Sequence, residues 1–280
     1  MRLALVAAIA ALSLTACAST GGGSTAGGAG FSARGAPAVH LTGEQAAAFS
    51  KQVERDLADK GARLAIVFRT GETRDMLPDG ISYTHGAFWT FVPISLEDGR
   101  VINGYAVYNL YHGDGKTLAM DKSYLHQDFP IDFVAPSAVD DVAVIVPTPE
   151  KQRRILTLMD SPSYRALHIE PYSLVSNPHD IKYQNCTEFM LDIIAAAAWE
   201  TTDMVQIKAN LKQHFRPTKV KTSLIERFLA PLAEDRIKTD DQGGTIVTAT
   251  YESMAAFMKD NDLLKEAYVL RRQSTPPSAP

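Results

Sequence analysis

Only two cysteines occur in the 280 residues, and their positions leave the folded part of the chain without a covalent staple. Cys17 closes Leu14-Thr15-Ala16-Cys17 directly after an apolar N-terminal run, and Cys186 lies far downstream in Tyr183-Gln184-Asn185-Cys186-Thr187-Glu188-Phe189. After Cys17 a single thiol remains, so no intramolecular disulfide can form within the rest of the chain. The fold has to stand on a buried apolar core instead. Between the low-complexity ends lie roughly 230 residues, enough for one such core.

Met1-Arg2 supplies a short positive start, and Leu3 to Leu14 is apolar apart from Ser13. This is the order of a secretory signal, and the run is too short to span a bilayer. A cysteine after Leu-Thr-Ala resembles the lipobox of bacterial lipoproteins. The resemblance implies cleavage before Cys17, acylation of its thiol and new amino group, and stable attachment through several acyl chains. Ala18 in place of Asp points to the outer membrane under the same family's sorting rules. The expected organisation is a signal peptide over 1–16, lipidated Cys17 with a Gly/Ser/Ala tether over 17–39, one globular domain over 40–272, and a Ser/Pro tail over 273–280.

Cleavage removes Arg2 alone among the charged residues, leaving 27 basic against 32 acidic side chains and a net charge of −5. With no basic run, nucleic acid is excluded as a partner. The histidines are scattered and no Cys-x-x-Cys pair occurs, so neither a metal nor a cofactor is implied.

Within the globular part, Thr42-Gly43-Glu44-Gln45 opens an amphipathic helix over 41–59 with Ala46, Phe49, Val53 and Leu57 on its apolar stripe. Strands are expected over 63–68 and 142–147, and 82–92 and 101–111 read as a hairpin turning at Glu97-Asp98-Gly99-Arg100. Pro149 starts a helix ending near Met159, and further helices are read over 186–198, 203–215, 223–232 and 251–259, with a strand over 245–250. Antiparallel strands with helices outside them define an α+β fold.

Asn185 reads as the N-cap of the helix that Cys186 begins, with Glu188 completing a capping box. Phe189, Met190, Ile193 and Ala197 share a stripe with Cys186, which places the thiol at the open end of a buried face. Backbone N–H groups and the helix dipole there favour thiolate, and the same groups can hold an oxyanion. The competing reading is a small buried hydrophobe, the commonest role of a free cysteine.

A thiol nucleophile needs a base. Among the histidines His85 stands out, lying in a strand on one face with Tyr83, Ala87, Trp89 and Phe91, beside Gly86, which leaves room by the ring. Antiparallel counting about Glu97 pairs residues whose numbers sum to about 194, which sets Asn109 opposite His85. A shifted register would bring Asn103, Tyr105 or Tyr111 there instead.

Tyr83-Thr84-His85-Gly86 and Asn185-Cys186-Thr187-Glu188-Phe189 resemble the histidine strand and the cysteine helix start of the circularly permuted branch of the NlpC-type papain-like superfamily. Arg69-Thr70-Gly71, Tyr83-Thr84-His85, Asn109-Leu110 and Tyr183-Gln184-Asn185 together are similar to a bacterial family of uncharacterised extracytoplasmic proteins. The resemblance implies an antiparallel sheet packed on helices, Cys186 as nucleophile, His85 as base, Asn109 as its orienter and Gln184 as an oxyanion donor. The expected function is a lipid-anchored envelope thiol hydrolase or acyltransferase, acting on a cell-wall peptide or an acyl substrate. The alternative is a non-catalytic lipoprotein that binds a peptide or lipid in the same groove.

Overall fold

The run Leu64-Ala65-Ile66-Val67-Phe68 offers water no polar side, so a strand built from it has to be covered on both faces. The computed structural model of the protein, which describes residues 40–95, 98–221 and 236–273, places it inside a six-stranded antiparallel sheet with every residue of the strand buried.

In chain order the elements are α1 (Gly43–Asp59), β1 (Leu64–Arg69), β2 (His85–Ser95), β3 (Val101–His112), β4 (Ser123–Asp128), α2 (Pro130–Val134), β5 (Asp141–Pro147), α3 (Pro149–Met159), α4 (Ser163–Ala166), α5 (Cys186–Trp199), α6 (Met204–His214), β6 (Thr218–Val220), β7 (Ile246–Thr248), α7 (Tyr251–Asp260) and β8 (Leu264–Arg271). The sheet order is β4-β3-β2-β1-β5-β8, and β6 and β7 form a separate antiparallel pair.

Alternation sorts the sheet's side chains into two cores. Leu64, Ile66, Phe68, Phe88, Leu110, Ala143 and Ile145 join α3, α5, α6 and α7 on one face. Ala65, Val67, Ala87, Trp89, Val107, Val142 and Val144 join α1 and α2 on the other. The fold is thus α+β, a sheet between two helical layers.

Helix starts follow local chemistry. Thr42 and Gln45 make a reciprocal capping box at α1, Thr148 accepts from Lys151 N above Pro149, and Thr250 and Ser253 repeat the box at α7. The Thr250 cap also explains why the strand expected over 245–250 stops at Thr248. Strands β4, β6 and β8 and the short helices α2 and α4 are additions to the sequence reading. The signal, Cys17, the tether, the helix expected over 223–232 and residues 274–280 lie outside the described residues.

His40 and Arg272 both reach the Asp140 carboxylate, at 3.0 and 2.7 Å. The neighbouring Asp141 accepts from the Tyr83 hydroxyl at 3.0 Å. This is the end of the sheet where β1 finishes and β2 begins.

Candidate functional site

Cys186 is the first residue of α5, and its N-cap is clamped from several sides. The Asn185 side-chain oxygen accepts from Glu188 N at 2.9 Å and from the Thr187 hydroxyl at 2.8 Å. Its amide donates to Leu174 O at 3.0 Å and to the Thr248 hydroxyl at 3.3 Å. The cap is therefore present, but the capping box is only half formed. Glu188 does not reach back; Asn185 N donates to the Ser176 hydroxyl at 3.1 Å instead.

Glu188 is drawn away by a buried cation. Lys208 Nζ donates to Glu188 at 2.6 Å and to both oxygens of Asp192 at 2.7 and 2.8 Å. Burial raises Glu188 to about 8 and also raises Asp192, against the pull of Lys208. This polar core explains a second departure from expectation. Helix α5 is buried on all sides from Cys186 to Ala197 rather than along one stripe.

Gln184 needs correction. Its amide donates to Asp192 at 2.8 Å and to Leu167 O at 3.2 Å, and its oxygen accepts from Ile169 N at 2.9 Å. Both amide protons thus serve internal partners, so the residue positions the approach to α5 and has no donor left for an oxyanion.

Asn109 does reach His85, with its side-chain oxygen accepting from His85 Nε2 at 3.0 Å. The register differs from the sequence count: Phe88 pairs with Tyr108, so paired numbers sum to 196. Continued to the start of β2, that register sets Tyr111 across from His85, where the rings stack with centroids 5.2 Å apart, and makes Asn109 the diagonal neighbour.

The contacts assign the histidine tautomer. Asn109 Nδ2 donates to the Asp128 carboxylate at 3.1 Å, and the Tyr111 hydroxyl donates to the same oxygen at 2.7 Å. A carboxylate only accepts, so the Asn109 oxygen must face the ring, and Nε2 must carry the proton it donates. Nδ1 then holds the lone pair. Burial and the nearby Arg69 charge hold His85 well below the usual imidazole range, so the ring is neutral at pH 7.

Two details of β2 are also corrected. Tyr83 belongs to the other core, with its ring edge-on to Tyr251 at 5.5 Å, because the regular alternation starts only at His85. Gly86 makes room for α5 rather than for the imidazole. A Cβ there would collide with the Met190 side chain and lie 2.8 Å from the Phe68 ring.

Cys186 and His85 approach the same end of the sheet from different sides. Helix α5 packs with Phe68 and Phe88, whereas the His85 ring lies 5.6 Å from Phe133 of α2, on the opposite face. Cys186 opens on a narrow cleft of about 60 Å³, walled by Leu77, Ile81, Tyr83, Thr84, Tyr172, Leu174, Thr187 and Thr250 among others. Thr84, the residue before His85, is where the cleft meets the histidine strand.

Sequence reasoning missed Arg69 as a site residue. It is 1% exposed, faces His85 across the β1–β2 pairing, and interacts electrostatically with Cys186, Tyr111 and Asp128. The available signal was an arginine directly continuing a fully apolar strand. Asp128 was missed because β4 was.

The fold and this site define a class of small α+β proteins with a thiol at a capped helix start. The family model described as an uncharacterized protein conserved in bacteria (DUF2145) matches residues 56–258, and the chain belongs to that family. The matched span contains Arg69, His85, Asn109, Asp128 and Cys186 and leaves out Cys17. No curated protein and no solved structure matches the chain. Among the described residues no helix is long and apolar enough to cross a membrane.

Proposed function

We propose that the protein is a lipid-anchored envelope thiol enzyme that cleaves or transfers an acyl group through Cys186 and His85. The observation that carries this reading is the fixed tautomer of His85, whose Nε2–H is held by Asn109 so that Nδ1 is the basic atom. A histidine strand preceding a cysteine helix supports the permuted NlpC-type papain-like placement. The Leu14-Thr15-Ala16-Cys17 segment supports anchoring at the outer membrane, facing the periplasm.

In the proposed reaction Sγ of Cys186 attacks a carbonyl carbon as its proton passes to His85 Nδ1 around the end of β2. The tetrahedral intermediate collapses, the carbonyl–oxygen or carbonyl–nitrogen bond breaks, and His85 returns the proton to the leaving group. Water or a hydroxyl acceptor, deprotonated by His85, then attacks the thioester and releases the thiol. The low basicity of His85 makes its protonated form a strong donor in the second step.

The cleft walls carry no charged side chain and are mainly apolar. That lining favours an acyl ester over a charged cell-wall peptide.

The test uses detergent-solubilised full chain with p-nitrophenyl acyl esters and, in parallel, muramyl peptides. Wild type is expected to hydrolyse the esters and Cys186→Ala to lose that activity. Turnover of muramyl peptides alone would replace the acyl substrate, and equal rates for wild type and Cys186→Ala would leave a binding lipoprotein. Membrane attachment is checked separately, by loss of the protein from the membrane fraction in Cys17→Ala.

A further inference from the structure

Cys186 is 3% exposed and opens on about 60 Å³ of space. At about 10–15 Å³ for each water-sized occupant, that space takes roughly four to six non-hydrogen atoms. A short acyl group fits and a long chain does not, unless a wall of the cleft moves.

The walls are not attached alike. Tyr172 N donates to Asp121 O and Leu174 N to Arg236 O, both at 2.8 Å, while Val220 and Thr248 belong to the β6–β7 pair. Leu77, Pro78 and Ile81 belong instead to residues 71–83, which leave the end of β1 and return to the start of β2. The neck of that segment is tied, with Thr84 N donating to Arg69 O and Gly71 N to the Thr84 hydroxyl, each at 3.0 Å. Beyond the neck, every backbone hydrogen bond that residues 72–83 make with a described residue stays within 70–84. A closed neck with no ladder to the sheet makes this an Ω-loop.

Side chains alone seat the loop on the described body. Ile81 packs against Val175, Val220 and Ile246, and a Cβ at Gly80 would lie 3.1 Å from the Thr218 side chain of β6. Asp141, the first residue of β5, accepts from Arg74 Nη2 at 2.6 Å and from the Tyr83 hydroxyl at 3.0 Å. The Arg74 guanidinium also lies 4.5 Å from the centre of the Tyr83 ring. A second ion pair, Asp79 with Lys221, is exposed on both sides and holds little.

We infer that residues 71–83 are a hinged wall that selects the acyl group by length. Seated and latched at Asp141, the loop admits a short chain; lifted from β6 and β7, it admits a longer one. The inference rests on the reading of this cleft as an acyl site for its occupant alone, because movement of the wall is measured at the thiol without turnover.

The experiment uses the full chain carrying Cys17→Ser, where Cys186 is the sole thiol. Its labelling rates with methyl and octyl methanethiosulfonate compare one chemistry at two chain lengths. The background protein is expected to favour the methyl reagent. Asp141→Ala removes both latch bonds and should speed octyl relative to methyl labelling roughly fivefold. Tyr83→Phe removes one bond and should fall between, and Asp79→Asn should match the background. An unchanged ratio in Asp141→Ala overturns the inference, as does an equal gain in Asp79→Asn.

Salt tests the latch with every residue of it in place, in case Asp141→Ala does not fold. Raising KCl from ~0.05 to ~1 M screens a partly exposed ion pair, so the octyl-to-methyl ratio of the background protein should rise. A ratio that salt does not raise overturns the latch. Ester turnover separates the two readings, since p-nitrophenyl octanoate should gain on the acetate in Asp141→Ala. A protein that hydrolyses neither ester yet shows the labelling gain loses the enzyme and keeps the hinge. Ester turnover without the labelling gain keeps the enzyme and overturns the hinge.

Discussion

At Asn109 a single amide joins a ring to a carboxylate. Its oxygen takes the proton of His85 Nε2, and its nitrogen donates to Asp128. Leucine would occupy similar space but leave both buried partners short, at a cost of about 1–3 kcal/mol. It would also remove the acceptor that holds the proton on Nε2. We expect Asn109→Leu to lower acyl-ester turnover roughly 10²-fold or more, the scale of a lost acid–base function, while Cys186 alkylates at a near-normal rate. Unchanged turnover would remove Asn109 from the mechanism. Counting along the hairpin found this pair from sequence, although the register was two residues out, because a diagonal neighbour in a sheet is still within reach of a long side chain. Arg69 was not legible in the same way. A charged residue at the end of a strand ordinarily reads as a solvated terminus, and only the packed structure shows that water has been excluded from it.

Helix α5 and strand β2 approach closely at Gly86. Gly86 lets Met190, one helical turn beyond Cys186, lie against the strand. A methyl group at Gly86 would press on Met190 and on the Phe68 ring, and the ring cannot retreat because it is fully buried. We expect Gly86→Ala to destabilise by about 1–3 kcal/mol through overpacking. It should also change Cys186 alkylation, as α5 shifts away from the sheet. A variant with wild-type melting temperature and alkylation would show that the helix has slack.

The long helices and the β1, β2, β3 and β5 strands were readable because apolar period, caps and proline agreed over many residues. Two outer strands were not. In β4, Ser123-Tyr124-Leu125-His126-Gln127-Asp128 lacks an apolar run, and its burial comes from pairing with β3. In β8 the alternation is weak enough for helix and strand to compete, and its partner β5 lies more than a hundred residues away. The Lys208 cluster was hidden too, since one lysine on a helix gives no sign that two carboxylates of another helix surround it.

For the molecule as a whole, buried titratable groups should make stability depend on pH in two opposing ways. His85, His112, His168 and His179 all lie below their ordinary value, with burial the largest cause for each, and His112 falls to about 4. Below ~6.5 the unfolded chain takes up protons that these four rings resist, so stability is lost as pH falls from there toward their folded values. His112 alone contributes on the order of 3 kcal/mol. Glu188 works with the opposite sign. Its raised pKa of about 8 means that the folded state holds a proton the unfolded state has already released, and that advantage disappears as pH climbs through 8. Between ~4.5 and ~6.5 the two sets act in opposite directions, the histidines raising melting temperature with pH and Glu188 lowering it; above ~6.5 the histidine contribution is complete and Glu188 continues to lower it until pH passes about 8. Replacing His112 by Phe should flatten the acid limb, and Glu188→Gln the alkaline one. A profile that neither variant alters would exclude both groups as its source.

The carboxylate of Asp140 gathers His40 and Arg272 at the rim where Tyr83 walls the cleft. The chain therefore enters and leaves the globular body on the side from which Cys186 is approached. A bulky group fixed at His40 or at Arg272 would therefore stand beside the doorway instead of at the back of the molecule.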